Sequence, residues 1–349
     1  MERSWGLSLN KAILVTGGAG YIGSHLVLQL VEAGERVVVL DNLSTGFADM
    51  VIGAELVVGD ISDHELITKL LRSRHIGAVM HLAAHTAVPE SVANPLTYYR
   101  NNTCSTRTLL AQCHEAGVEH FVFSSTAAVY GMPSSGVADE TTPTLPINPY
   151  GASKLMCEWM LRDLATCGDL RYVALRYFNV AGCDPQGRVG HSTPNATLLI
   201  KVACETAVGK RDHVDIYGTD FETRDGTGVR DYIHVTDLVR AHVDALSYLR
   251  SGGDSTTLNC GYGHGYSVRE VLSAVERAHG EKLPISERSR RIGDPPSLIS
   301  DAQKIRRVLQ WRPRYNDLDF IAQTALAWER HLLARSTRHT KAYLPRLEA

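Results

Sequence analysis

The sequence predicts an α/β protein: a doubly wound parallel (Rossmann) sheet with a second, smaller mixed α/β domain. Three observations carry this expectation. Apolar runs of strand length alternate with longer stretches of helical period through the first half of the chain. The first apolar run ends in a glycine cluster that opens the next helix. Beyond residue 181 the alternation loosens into Gly-, Pro- and polar-rich segments.

The elements follow in order. "KAILVTG" (11–17) is a short apolar run ending in glycine, as in a parallel strand buried on both faces. "YIGSHLVLQLVEAG" (21–34) has apolar residues at helical spacing and closes on Gly34. "RVVVLD" (36–41) is a second buried strand, so the first forty residues form one βαβ unit. "AELVVGD" (54–60) and "GAVMHLAA" (77–84) predict further strands. Residues 95–117 predict one long helix, "HFVFSST" (120–126) a strand, 150–168 a helix and "RYVALRYFNV" (171–180) a strand. "AGCDPQGRVGHSTPN" (181–195) is a loop. "DYIHVTDLVRAHVDALSYLR" (231–250) is a helix with a strand-like lead. The expected organisation is a nucleotide-binding unit over 1–180, rejoined by about 231–262, and a substrate unit over 181–345. The tail 336–349 is polar and expected to be loosely held.

Composition narrows the function. Lys plus Arg is 36 and Asp plus Glu 38, a net charge of −2, which offers no basic surface for nucleic acid or an anionic membrane. A small-molecule ligand is the default. The opening segment lacks the basic-then-apolar pattern of a leader, and no apolar run reaches the roughly 20 residues that span a bilayer. Seven cysteines, with no CxxC pair, point to reduced thiols in the cytosol and to no metal site.

The glycine cluster "GGAGYIG" places Gly17, Gly20 and Gly23 between a strand and a helix. There small residues admit a pyrophosphate, and the helix N-terminus supplies free N–H groups. Asp41 ends the second strand, where an acid accepts from an adenosine ribose and repels a 2′-phosphate, which selects NAD over NADP. As a turn-forming residue of "DNLSTG" the same Asp needs no ligand. Asp60 ends the third strand, on the adenine side.

Tyr150 and Lys154 stand four apart. A chain with 14 tyrosines and eight lysines produces that spacing by chance about 0.3 times, so spacing alone says little. Asn148 and Pro149 fit N-cap and N1, which puts the pair in a first helical turn and on one face. A neighbouring ammonium and the positive nicotinamide ring are together expected to lower the phenol pKa and make Tyr150 a base for a sugar hydroxyl. Ser124, Ser125 and Thr126 lie at a strand's C-terminal end, where ligands bind in open α/β sheets, and Thr126 is placed to hydrogen-bond the reacting oxygen.

The segments "TGGAGYIGSH", "DNLSTG", "HLAAHTAVPES", "FSSTAAVYG", "NPYGASK", "RYFNVAG" and "DGTGVRDYIHVTDL" together resemble the UDP-glucose 4-epimerase family of extended short-chain dehydrogenases/reductases, over residues 11–330. The resemblance implies a retained NAD, oxidation of a hexose at C4, turnover of the keto sugar and return of hydride to its other face. It implies Tyr150 as base, Lys154 as its partner and Thr126 as hydroxyl donor. Cofactor contacts would come from Gly17, Gly20, Tyr21, Ile22, Gly23, Asp41, Asn42, Asp60, Ile61, Leu82, Ala83, Asn101, Tyr150, Lys154 and Tyr177. UDP-sugar contacts would come from Asn179, Arg230, Arg291 and Asp294, with Ile216 and Tyr217 at the uracil. Arginine forks suit a diphosphate.

Related dehydratases carry acids just after the Ser/Thr position, where this chain has Ala127 and Ala128, so it lacks the proton carriers for eliminating water. Three residues depart from many family members at the sugar end: Thr86, Leu198 and Leu298. They leave UDP-xylose/UDP-arabinose and N-acetylhexosamine substrates open beside UDP-glucose/UDP-galactose. A net NAD-dependent nucleotide-sugar dehydrogenase is the second reading, since it needs the same base. The resemblance further implies a homodimer, packed through the helices near 95–116 and after Tyr150.

Overall fold

The computed structural model describes residues 11–343 apart from Asn195 and Ile292, with side chains to Arg335. β1 (Ala12–Thr16) is buried along its whole length, passes through the glycine loop into α1 (Tyr21–Glu32), and is followed by β2 (Val37–Asp41). Then come β3 (Glu55–Val58), α2 (His64–Ser73), β4 (Ile76–His81), α3 (Val88–Ala93), α4 (Pro95–Tyr98), α5 (Ser105–Glu115), β5 (His120–Ser124), β6 (Val137–Ala138) and α6 (Pro149–Cys167). Next are β7 (Arg171–Tyr177), β8 (Asn179–Ala181), α7 (Leu199–Ala207), β9 (Val214–Tyr217), β10 (Val229–His234), α8 (Val235–Arg250) and β11 (Thr256–Cys260). The chain closes with β12 (Gly265–Ser267), α9 (Val268–His279), β13 (Ile285–Arg288), β14 (Ser297–Ser300), α10 (Gln303–Leu309) and α11 (Leu318–Tyr343).

The main sheet has seven parallel strands in the order β3-β2-β1-β4-β5-β7-β11. This is the doubly wound arrangement, with its crossover reversal between β1 and β4. Side chains alternate faces along each strand. Ile13, Val15, Val39 and Met80 therefore pack with α1 and α8 residues such as Leu26 and Leu238. Leu14, Val38, Leu40 and Phe123 pack on the other face with Ile67, Leu109 and Leu161. α8 and β11 return to this sheet after the chain has left it, as β11 pairs with β7. A second sheet runs β12-β10-β14-β6, with β8 also on β10, and β13 pairs with β9.

Two expected elements differ. The long helix over 95–117 contains a π-helical segment at Tyr99–Cys104 between α4 and α5. Asn102, within it, accepts the His85 N–H at 2.8 Å and donates to His85 O and Ser153 Oγ, each at 3.0 Å. The wider turn aims this amide at the loop after β4, which an unbroken 3.6 period does not anticipate. The strand over 171–180 breaks at Phe178. β7 stays in the main sheet, and β8 pairs with β10, so the chain changes sheets at the site. α11 extends the helical backbone to Tyr343, through the first part of the tail expected to be loose. The rest of the tail, and the opening segment before Lys11, lie outside the described residues.

Four histidines are built into the interior as neutral rings. His25 Nδ1 meets Tyr21 O at 2.7 Å while Nε2 faces the Asp184 N–H at 3.0 Å. His242 Nδ1 meets Leu238 O at 3.0 Å and Nε2 meets Ser124 Oγ at 2.8 Å. His234 Nδ1 accepts from Thr236 N at 3.1 Å, capping α8, and His81 bridges Thr16 and Thr106. A second ring proton on His25 or His234 would point at an N–H donor. Burial is the largest influence in each, and it pushes His25 and His242 down to about 4 and His81 and His234 down to about 3. These folded values lie below the unfolded value near 6.5, so the stabilisation is complete above that pH and is lost on descending toward the folded values. The melting temperature should therefore fall steadily from pH 7 to pH 5, above the range where most carboxylates titrate. A flat melting temperature over that interval would exclude the neutral-histidine account.

Candidate active site

The ends of β1, β2, β4, β5 and β7 open onto one cleft. Gly17 turns there with φ +72°, and a Cβ on it would lie 2.6 Å from Ala83 N, so the loop touches the chain leaving β4. A Cβ on Gly23 would lie 2.0 Å from Gly17 O, which makes α1 start directly beneath the turn. On Gly20 the nearest atom would be Gly17 O at 3.3 Å, so that residue's outer side is comparatively open. Gly20 is also the N-cap of α1 and supplies no side-chain cap. First-turn amides at Tyr21, Ile22 and Gly23 are the groups a phosphate satisfies. On these observations the loop fits a dinucleotide pyrophosphate.

Asp41 forms the turn its sequence allows and adds a tie to the glycine loop that the sequence does not show. Its Oδ2 accepts from Ala19 N at 2.9 Å and its Oδ1 from Leu43 N at 2.8 Å, tying the glycine loop to the turn after β2. Each oxygen keeps a further lone pair for a ribose hydroxyl. Asn42 Nδ2 donates to Asp60 Oδ2 at 2.8 Å, and Ser62 holds Asp60 Oδ1 through its backbone and hydroxyl. Burial pushes the Asp60 carboxyl up, but these hydrogen bonds outweigh it and hold the group below its usual range. Ile61 is buried beneath this rim, Leu82 and Ala83 follow β4, and Asn101 sits in the π segment, donating to Asn102 Oδ1.

Asn148 caps α6 by accepting from Gly151 N at 2.8 Å, and Pro149 occupies N1, as its sequence implies. Tyr150 and Lys154 are consequently buried side by side against β5. Lys154 Nζ donates to Ser124 O at 2.9 Å and lies 4.9 Å above the Phe123 ring. Thr126 Oγ1 accepts from Ala128 N at 3.1 Å, and its hydroxyl lies close enough to the Tyr150 phenol to favour the ionised form. Tyr98 meets the Tyr150 ring edge-on at 6.5 Å, and the Ser124 side chain lies beside the Tyr177 phenol.

The expected lowering of the phenol pKa draws on Lys154 and a nicotinamide ring together, and the protein's own groups do not supply it. Burial raises the Tyr150 pKa, and the Thr126 hydrogen bond only partly opposes it. Burial likewise lowers Lys154 to about 8, and its ammonium is engaged with a carbonyl and a ring. The protein alone therefore keeps Tyr150 protonated at neutral pH. A bound cation would shift that balance, and the positive ring of an oxidised nicotinamide is such a group.

On the side of the second sheet, Asn179 begins β8 beside Tyr232. Asn179, Tyr21, His191, Leu198, Lys201 and Trp328 line a shared cavity. Arg230 is largely buried, its Nη1 donating to Val229 O at 2.8 Å and its Nη2 lying 3.9 Å from Asp294. Burial pushes its pKa down and Asp294 pushes back. Arg291 stacks on Tyr217 at 3.7 Å. Ile216 is fully buried, so its main chain is what it can offer a base. Leu298, opposite Arg230 in register, packs with Ala127 and Phe178, and Thr86 and Leu198 are exposed. Sequence reasoning gave no role to His81, Glu158 or Arg176, although Glu158 repeats the Tyr150–Lys154 spacing once more. Among the described residues no group of His, Cys, Asp and Glu is arranged to hold a metal, and no helix is long and apolar enough to cross a membrane.

Residues 13–261 match the model of the NAD dependent epimerase/dehydratase family. The chain is 54% identical over 321 residues to a UDP-glucose 4-epimerase of Azospirillum brasilense, covering 92% of each. It superposes with a TM-score of 0.89, at 44% identity, on the UDP-glucose 4-epimerase from Brucella ovis in complex with NAD, covering 91% of this chain and 98% of that one. It also superposes on a UDP-glucose-4-epimerase from Stenotrophomonas maltophila with bound NAD and formylated UDP-arabinopyranose. There the TM-score is 0.90, the identity 38%, and the coverage 93% and 99%. With the glycine loop, the Asp41 anchor and the Tyr150–Lys154 face in one cleft, the chain belongs to the NAD dependent epimerase/dehydratase family.

Proposed function

We propose that this protein is an NAD-dependent UDP-sugar 4-epimerase that interconverts UDP-glucose and UDP-galactose. The observation that carries the reading is the placement of Thr126, Tyr150 and Lys154 on one wall of the cleft that holds the glycine loop. Gly17, Gly20, Tyr21, Ile22, Gly23 and Asp41 would hold NAD, which supplies the hydride acceptor and donor when bound. Thr126 orients the C4 oxygen, and Tyr150 takes its proton and later returns it. Lys154 keeps a positive charge on the same helix face. One base suffices because the proton and the hydride both come back to the sugar. Ala127 and Ala128 leave no acid beside Thr126 for an elimination.

Arg230, buried with a distant carboxylate partner, and Arg291 are assigned to the diphosphate, and Asn179 to the sugar or its phosphate. Asp294 tethers Arg230. Ile216 and Tyr217 border the uracil, and Leu298 forms an apolar wall near the sugar. Support for the glucose/galactose pair comes from the names of the similar proteins. We infer a homodimer from Val88, Val92, Leu96 and Trp159, apolar residues left 38%, 63%, 79% and 47% exposed on α3, α4 and α6. All seven cysteines are free thiols, in keeping with a reducing compartment such as the cytosol.

Tyr150→Phe should lower kcat by about 10²–10⁴-fold with NAD still bound. Activity within twofold of the parent would remove Tyr150 from the reaction. Supplied separately with UDP-galactose, UDP-xylose and UDP-N-acetylgalactosamine, the enzyme should show its highest kcat/KM with UDP-galactose. A preference for the pentose would reassign the substrate. Trp159→Glu should convert a dimer to a monomer in sedimentation, and an unchanged dimer would place the interface elsewhere.

A further inference from the structure

Tyr150, Lys154 and Glu158 recur every four residues on α6 and so share one face of the helix. That face lies against Ser124, the last residue of β5, and the two residues that follow it, and each meets a different rung. The Thr126 hydroxyl lies beside the Tyr150 phenol and favours its ionised form, Ser124 O accepts from Lys154 Nζ at 2.9 Å, and Ser125 Oγ donates to Glu158 Oε1 at 2.5 Å. The third rung has no part in the proposed chemistry and is the most elaborately held. Arg176 grips Glu158 through Nε at 3.0 and 3.2 Å and through Nη2 at 2.6 Å, with the two side chains 9% and 6% exposed. Arg176 Nη1 also donates to Tyr130 Oη at 3.0 Å. Tyr130 in turn donates to Asn259 Oδ1 at 2.6 Å, which reaches β11.

A buried ion pair of this kind stabilises little beyond what well-packed apolar side chains would supply, so its value is in fixing geometry. Ser125 is fully buried, and its hydroxyl is the link between this brace and the reacting rung. Its neighbours in sequence are the two residues that touch Lys154 and Tyr150, so any rotation or slip of Ser125 moves both contacts together. Thr126 must stay within reach of the phenol for its hydrogen bond to favour the phenolate. Misplacement by about 1 Å is enough to cost up to about 10²-fold in rate.

We propose that Glu158 and Ser125, braced by Arg176, are positioning residues that set the Thr126–Tyr150 and Ser124–Lys154 contacts, and through them the ionisation of the base. The inference rests on Tyr150 being that base. Facing the phenol are Tyr98 from α4, Tyr177 from β7 and the hydroxyl of Thr126, while the Lys154 ammonium on the same helix is turned to Ser124 O and the Phe123 ring. Losing the Thr126 contact removes the opposition to burial, so the phenol pKa rises and the proton acceptor is available only at higher pH.

The test is Ser125→Ala in the full-length protein with its cofactor. It deletes the link, leaves the Glu158–Arg176 fork in place and does not touch the reacting groups. The expected result is a kcat about tenfold lower, a KM for UDP-galactose within about twofold, and an acid limb of the kcat–pH profile moved up by about one unit. Ser125→Thr, which keeps the hydroxyl, should restore the parent profile. A Ser125→Ala enzyme whose kcat and pH profile superimpose on the parent overturns the proposal, as does one changed only in KM or in melting temperature. Tyr150→Phe measured in parallel separates the two readings. If it retains activity the base assignment fails, and if it is inactive while Ser125→Ala is unaffected only the positioning role fails.

Discussion

The ammonium of Lys154 is buried to 3% exposure, and its hydrogen bond to Ser124 O stands between that burial and an unpaired charge. A buried unpaired ammonium costs several kcal/mol, so the end of β5 and the first turns of α6 are obliged to meet at one height. Much of the site follows from that meeting. Asn148 and Pro149 start α6 at the level where Lys154 reaches the carbonyl. Tyr150 then falls beside Thr126, and Glu158 falls where the Arg176 fork can hold it. The neutral rings of His81 and His242 back the same strand ends without adding charge.

Burial pushes both members of the pair toward their neutral forms, the phenol up and the ammonium down. A site in this condition performs little proton transfer unless another positive charge enters it. The same enclosure that makes Tyr150 a poor base in the free protein makes any charge placed beside it strongly felt, because the surroundings screen weakly.

The second sheet is organised by one strand. β10 pairs through Val229 and Arg230 with β14, and through Tyr232 to His234 with β8. Arg230, Leu298 and Asn179 are thereby set along β10, in its two ladders, although they come from three separate parts of the chain. His234 then ends the strand by capping α8, which carries the chain back to the main sheet. The candidate substrate groups and the main sheet are coupled through the β10–α8 junction.

Much of the first sheet was legible in sequence because its signals are local. Strands buried on both faces read as unbroken apolar runs, the glycine loop sits between a strand and a helix, and Asn-Pro before Tyr150 marks a helix start whatever surrounds it. The short strands β6, β12, β13 and β14 were not legible, since two to four residues carry no period. The break at Phe178 was hidden because either of its two sheets accepts the same residues. Tertiary structure alone decided what each polar group does. It turned Asp41 into an anchor for the glycine loop, buried the Tyr150 phenol so that its protein surroundings favour the neutral form, and joined Ser125, Glu158, Arg176, Tyr130 and Asn259 into one buried network. The reason is physical: secondary structure is set by neighbours along the chain, whereas desolvation and hydrogen-bond partners are set by whatever residue the fold brings alongside, and sequence distance does not encode that.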